Sequence, residues 1–183
     1  MEAVLQQIKE FADKAHNEQK RRYSADRYIV HPERVMNIVR KYNDDISVLA
    51  AALLHDVLED TETTIEEMYA FLLTVLDPPQ AAKTVKLVED LTDVYTKKGF
   101  PQWNRRKRKS KEIERLEKTN AEAHTIKYAD IIDNVPEIIN EDPDFAERYV
   151  KECREILRKM TKGNQELREV ALDVTRKFAK HLQ

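Results

Sequence analysis

Residues 51–61 read AALLHDVLEDT, an apolar run that ends in a His-Asp pair and continues to a Glu-Asp pair. The run predicts a buried helix, on which residues four apart lie on the same face. On such a helix Glu59 lies one turn beyond His55, and Asp60 lies one turn beyond Asp56. Charged side chains rarely enter a core without a partner. A divalent metal ion would be a partner for this imidazole and these three carboxylates.

The composition narrows the class of protein. A chain of 183 residues with 41% hydrophobic residues can form one domain with a real core, which we assign to residues 1–183. Only two glycines are present, which argues against hairpin-rich sheets and excludes a glycine-rich phosphate loop. The single cysteine, Cys153, permits neither an internal disulfide nor a zinc-thiolate cluster.

Charge and hydropathy predict the partners and the compartment. A net charge of -2 is not typical of a protein that coats nucleic acid, so we expect no nucleic-acid partner. No apolar run approaches the roughly 18 residues of a membrane span, and no signal peptide is evident. We therefore expect a cytoplasmic protein with no membrane contact, and the oligomeric state stays open.

Apolar residues recur at helical spacing along nearly the whole chain, which predicts an all-α fold, a single compact helical bundle. One segment, 95–111, breaks the pattern with Gly99, Pro101 and the cations Arg105 to Lys109, and we expect it to be irregular. The predicted helices cover residues 2–16, a segment starting near Pro32, one capped by Asp44 or Asp45 that carries residues 51–60, one capped at Thr63, one starting at Pro78, and then 112–135, 143–160 and 164–181.

Two further residues complete a predicted metal site. His31 precedes Pro32 at a helix start, and Asp130 lies inside an otherwise apolar helix. With His55 and Asp56 they form a set of two imidazoles and two carboxylates, which suits Mn, Fe or another borderline-to-hard divalent ion better than structural zinc. A metal ion there would lower the pKa of a bound water and polarise a phosphoryl oxygen.

The order His, His-Asp, Asp, with Glu-Asp four residues after the His-Asp pair, resembles the HD-domain metal-dependent phosphohydrolases. More narrowly, residues 28–32 (YIVHP) and 51–61 resemble the hydrolase domain of RelA/SpoT-type proteins and the single-domain small alarmone hydrolases. Matching stretches run from about residue 11 to about residue 178. The resemblance implies an HD-type helical bundle that removes the 3′-pyrophosphate of (p)ppGpp, a small nucleotide substrate, with Mn2+.

The resemblance also implies roles for residues around the metal. Arg22, Asn134 and Tyr149 match positions that bind substrate in the family. Glu59 and Asp60 lie outside the four ligands and within one turn of two of them, so we expect them to position the water and manage its proton. Four positions depart from the family near places that contact nucleotide or phosphate. Tyr23 stands where a lysine is usual and Ala25 where a glycine is usual. Ile131 replaces a basic residue, and Phe145 falls about where an arginine would precede Tyr149.

Two alternatives to an alarmone hydrolase remain open at this stage. One is an HD-type phosphatase on NADPH or another nucleotide, which the departures at positions 23 and 131 favour. The other is a non-catalytic HD domain that binds nucleotide. The remaining histidines, His16, His124 and His181, lack carboxylate companions at telling spacing, and we expect them on the surface.

Overall fold

The computed structural model describes residues 1–179, and all regular structure there is α-helical apart from one isolated antiparallel bridge between Lys20 and Arg27. The all-α prediction is therefore confirmed. The end of the last predicted helix, with His181, lies outside the described residues. The helices are α1 (Glu2–His16), α2 (Val30–Val39), α3 (Ile46–Leu54), α4 (Val57–Asp60), α5 (Ile65–Leu72), α6 (Pro78–Leu91), α7 (Arg105–Leu116), α8 (Ala121–Glu141), α9 (Pro143–Lys159) and α10 (Gln165–Ala179).

Contacts divide the chain into two compact units, Met1–Thr92 and a second that begins at Asp93. In the first unit α3 is central and packs against α1, α2 and α6. Asp45 caps it, since its Oδ1 accepts a hydrogen bond from the Ser47 amide at 2.8 Å. Every residue from Val48 to Leu54 is fully buried, as expected of a helix that is apolar on all sides.

The helix predicted to continue through residues 55–60 is interrupted at His55 and Asp56. The Nδ1 atom of His55 bonds to the Ala52 carbonyl oxygen at 2.8 Å, the acceptor that a continuous helix would give to the Asp56 amide. The amides of Glu59 and Asp60 both donate to the Asp56 carbonyl, at 3.2 and 2.9 Å. Asp60 therefore still lies one turn beyond Asp56, whereas the turn that holds Glu59 starts from Asp56 instead of His55.

In the second unit α8 packs against α9 and α10. The predicted end of this helix near Pro136 is wrong, because α8 continues to Glu141 with the proline inside it. Gly163 lies between α9 and α10, where a Cβ atom would be 2.6 Å from Tyr128 Cε2 and 2.8 Å from the Thr125 amide nitrogen. Only glycine allows this close approach.

The cationic run is helical, which corrects the prediction of an irregular segment through residue 111. Asn104 caps α7, with its Oδ1 accepting from the Lys107 amide at 2.9 Å, so Arg105 to Lys109 form the start of that helix. The preceding loop is tied down by the buried carboxylate of Glu112, which accepts the amides of Val94 and Tyr95 at 2.9 and 3.1 Å. Within the described residues, none of the helices has the length and apolar character needed to cross a membrane.

Candidate metal centre

Three of the predicted metal ligands come together in the first unit. His31, His55 and Asp56 each offer one ligand atom, and these atoms lie within 4.8 Å of one another. The Nε2 atoms of His31 and His55 lie 3.6 and 3.2 Å from the same oxygen, Asp56 Oδ2. The two imidazole rings meet edge to face with centroids 5.2 Å apart. Both histidines are buried, and the aspartate side chain is 21% exposed.

The backbone sets the tautomer of His55. Its Nδ1 atom faces a carbonyl oxygen, which can only accept, so Nδ1 carries the proton and Nε2 of the neutral ring presents its lone pair. That is the form in which imidazole binds metal. Two imidazole nitrogens and a carboxylate oxygen at these distances fit a borderline divalent ion. The arrangement is therefore a possible His/Asp metal site.

Tyr28 was missed by the sequence reasoning, although it lies in the YIVHP stretch. Its hydroxyl donates to Asp56 Oδ2 at 2.6 Å, the oxygen that both imidazoles face. Burial, and then the negative charges of Asp56 and Asp60, raise the pKa of Tyr28 well above its usual range, so the hydroxyl stays a donor. The ring of His16 lies 4.4 Å from that of Tyr28.

The expectation that His16 and His124 lie on the surface is wrong. His16 is 4% exposed and His124 is fully buried. His16 continues the buried face of α1, with its Nδ1 atom 2.9 Å from Gln19 Oε1. His124 belongs to the core of the second unit, where its two ring nitrogens bond to the Leu116 carbonyl and the Lys162 amide at 3.1 and 3.2 Å.

Glu59 and Asp60 lie on the exposed surface at the end of α4. Asp60 is exposed as a residue, but its carboxyl group is partly buried beside Tyr28 and Asp56. This burial, and next the negative charge of Asp56, raise the pKa of Asp60, although hydrogen bonding with Tyr28 acts in the opposite direction. Asp60 is thus coupled to a predicted metal ligand and to the tyrosine that holds it. Their places beside Asp56 agree with the predicted roles of both carboxylates, which stay predictions.

Arg22 and its neighbour Arg21 occupy the loop between α1 and α2. Arg22 is exposed, with its guanidinium 5.1 Å from the ring centre of Tyr23. Arg21 is half-buried, and its guanidinium lies 5.8 Å from the ring centre of Tyr28. The structure thus places Arg21 against the residue that contacts Asp56.

Asp130 and Asn134 lie one turn apart on α8, as predicted, and their side chains are joined by a hydrogen bond. Asp130 is buried, its Oδ1 accepts from Asn134 Nδ2 at 2.6 Å, and its Oδ2 is 2.7 Å from Lys127 Nζ. Because Asp130 belongs to the second unit, its role as a fourth ligand stays a prediction. Ile131, one of the departures from the family, is fully buried.

The third predicted substrate contact, Tyr149, is half-buried on α9. Its ring lies 5.9 Å from that of Phe145, the position where the family carries an arginine. The guanidinium of Arg105 lies 5.4 Å from the centre of the Phe145 ring. A cation absent from position 145 is therefore present nearby, on α7.

Comparison with known proteins identifies the family of this chain. The model of an HD domain matches residues 9–166. The chain belongs to the HD-domain family. It is 32% identical over 167 residues to the guanosine-3′,5′-bis(diphosphate) 3′-pyrophosphohydrolase MESH1 of Homo sapiens, a match that covers 89% of this chain and 86% of that protein.

Two further matches extend the comparison of this HD domain. The guanosine-3′,5′-bis(diphosphate) 3′-pyrophosphohydrolase of Aquifex aeolicus is 38% identical over 90 residues, which is 49% of this chain and only 12% of that longer protein. A solved structure described as a metazoan ortholog of SpoT that hydrolyzes ppGpp matches with a TM-score of 0.79 at 24% identity, covering 96% of this chain and 95% of that one. The first confirms the resemblance to SpoT-type proteins, and the second supports the fold.

Proposed function

We propose that this chain is a metal-dependent hydrolase that removes the 3′-pyrophosphate of (p)ppGpp, releasing pyrophosphate. The observation that carries the proposal is the match to a relative named for that activity along 89% of this chain. The HD-domain match over residues 9–166 also contains every residue to which a role is given below.

The proposed cofactor is Mn2+ or another divalent transition metal. His31, His55 and Asp56 would hold it through the atoms that converge in the first unit. The resemblance to the family adds Asp130 as the proposed fourth ligand. When bound, such an ion supplies an activated water near neutral pH and a Lewis acid for the phosphoryl group. Tyr28 fixes the Asp56 carboxylate by donating to Oδ2 at 2.6 Å.

Two carboxylates outside the ligand set are proposed to carry the proton chemistry. Glu59 and Asp60 are accessible to solvent and begin one turn after Asp56, so they can orient a water molecule and accept its proton. The alternative reading is a plain helix end, and the helix dipole does not decide against it, because α4 is a single turn.

Substrate contacts are proposed for Arg22, Asn134 and Tyr149. An exposed guanidinium can bind phosphate in a bidentate manner, and Asn134 and Tyr149 would orient the nucleoside. Arg105, over the Phe145 ring, offers a cation where the family's arginine is absent. No cation is present at position 23 or at the buried position 131, so a raised KM is expected rather than a lost kcat.

A substrate screen tests the proposal. Turnover of ppGpp, pppGpp, ppApp and NADPH is measured with Mn2+ for the wild type, for Asp56→Ala, and for Asp44→Ala as a control at an exposed aspartate of the same unit. We expect cleavage of ppGpp by the wild type and the control. Asp56→Ala should lose its turnover in the same assay and its bound metal by elemental analysis. Rapid cleavage of NADPH with none of ppGpp would replace the alarmone assignment by the phosphatase alternative. Metal binding without turnover of any nucleotide would favour a non-catalytic nucleotide-binding domain.

A further inference from the structure

A groove of about 840 Å3 runs between α7 and α9, wholly within the second unit. This volume lies in the range of small-molecule sites. Seven of the lining residues are Lys or Arg and three are Glu. Arg105 lines the groove, but the other residues of this unit that are proposed to contact the substrate, Asn134 and Tyr149, do not. The proposed hydrolysis therefore leaves the other cations of the groove without a role.

Charge is unevenly distributed along the chain, and the cations are in excess in the half of the sequence that contains the groove. Residues 1–92 contain 11 Lys and Arg against 17 Asp and Glu, whereas residues 93–183 contain 21 against 17. Six of the eight residues from 104 to 111 are cationic. Cations in the first turn of a helix oppose its dipole, and like charges one turn apart repel each other. Helix stability therefore does not explain this run.

Each carboxylate in the groove is already paired with a cation. Glu152 accepts two hydrogen bonds from Arg105, at 2.8 and 2.6 Å, which join α9 to α7. The other two pairs stay within one helix, Arg158 with Glu155 at 2.8 Å and Lys111 with Glu114 at 2.7 Å. Of the seven cations that line the groove, only Arg105 and Arg158 therefore pair with a carboxylate that also lines it. Lys159 pairs with Glu117, outside the groove, at 3.2 Å.

Two of the cations are available to a ligand, one on each wall. Arg106 of α7 and Arg148 of α9 are exposed, and neither side chain makes a hydrogen bond or ion pair with another residue in the described part of the chain. Lys109 and Lys151 end in ion pairs with carboxylates that do not line the groove, Asp93 at 2.6 Å and Glu147. Partly exposed pairs of this kind are weak and exchange readily for a ligand oxygen.

We propose that the α7–α9 groove binds a small polyphosphate anion through its phosphates. Two guanidinium groups on facing walls suit phosphate oxygens, which arginine binds in a bidentate manner. No aromatic side chain lines the groove, so a nucleobase finds no stacking surface there. The recognised chemistry is the phosphate chain, whether it comes from an inorganic polyphosphate or from a nucleoside triphosphate.

Calorimetric titration of the full chain in metal-free buffer tests this site without relying on turnover. Inorganic tripolyphosphate, pyrophosphate and GTP are titrated into the wild type and Arg106→Glu/Arg148→Glu. The control is Lys118→Glu/Arg154→Glu, which changes net charge equally at two exposed residues of the same unit outside the groove. The groove variant should lose affinity for tripolyphosphate by at least about tenfold, and the control should stay within about threefold of the wild type.

Comparison of the ligands identifies the source of the phosphate chain. Equal affinity for GTP and tripolyphosphate would show recognition of phosphate alone, and tighter binding of GTP would add a nucleoside contact. Tripolyphosphate should also protect backbone amides of α7 and α9 from hydrogen exchange. Equal affinity in wild type and groove variant, equal losses in groove variant and control, or preference for a short RNA over tripolyphosphate would overturn the proposal. If the glutamate variant does not fold, Arg106→Gln/Arg148→Gln gives the same comparison.

Discussion

Replacing Tyr28 by phenylalanine should weaken metal binding while leaving the fold intact. The substitution removes the hydroxyl that donates to Asp56 Oδ2 at 2.6 Å and keeps the ring that packs against His16. The bond orients the carboxylate oxygen that both imidazoles face. We therefore expect Tyr28→Phe to act on the affinity of the site rather than on the presence of its ligands.

The size of the effect follows from the exposure of the carboxylate. A hydrogen bond to a charged group contributes about 1.5–3 kcal/mol, and loss of a residue that supports a metal ligand typically costs about 10- to 100-fold in affinity. The Asp56 side chain is 21% exposed, so water can partly replace the lost hydroxyl. The expected loss is at the lower end, about tenfold or about 1.4 kcal/mol.

Competition with a metal-sensitive fluorescent chelator measures this change directly, with Mn2+ as the titrant. Tyr69→Phe is the matched control, because Tyr69 is a half-buried tyrosine of the same unit outside the site. Thermal unfolding of the metal-free proteins checks that the fold is retained. Unchanged or tighter binding by Tyr28→Phe would refute the reasoning, since it would mean that the hydroxyl competes with the metal for Oδ2.

Three further predictions follow from other residues. Glu59→Gln or Asp60→Asn should lower turnover by about 10²-fold with metal content unchanged. Wild-type rates in both variants would show that the two carboxylates have no catalytic role and only end the helix. Burial lowers the pKa of His124 below 6.5, so the unfolded chain takes up the proton first and stability should fall as pH drops through 6.5. Urea unfolding of the metal-free protein at several pH values should show this fall. An equal dependence of the unfolding free energy on pH in His124→Gln would contradict it. Gly163→Ala should cost about 1–3 kcal/mol of unfolding free energy, because its Cβ would be 2.6 Å from Tyr128 Cε2; an unchanged urea midpoint would contradict this.

Much of the fold follows from periodicity because most of the helices bury one face, whereas α3 is buried on all sides. The bounds of α1 agree with the sequence pattern to the residue, and the cap of α3 is Asp45, one of the two predicted candidates. The pattern even contains the signal for burial of His16, which continues the series Leu5, Ile8 and Ala12 on the buried face of α1. Judging His16 by its lack of acidic neighbours, rather than by its position on that face, gave the wrong result.

Other features depend on competition that spacing cannot specify. The break between α3 and α4 arises because a side-chain nitrogen of His55 takes a carbonyl that the helix would use. The start of α7 had a local signal, since Asn104 is a good N-cap, but Gly99 and Pro101 suggested a longer irregular segment. Pro136 is a helix breaker on average, yet α8 continues past it, because packing against α9 and α10 outweighs one lost hydrogen bond.

The convergence of His31, His55 and Asp56 is predictable because these residues lie close in sequence and belong to one unit. What the sequence does not reveal is the electrostatic cost of that arrangement. Asp56 and Asp60 carry like charges one turn apart, and these charges repel each other. Burial first, and this repulsion from Asp56 second, raise the pKa of Asp60. Tyr28 relieves part of the repulsion through its bond to Asp56. A divalent cation held by the histidines would relieve the rest, so metal binding should stabilise the fold as well as activate water.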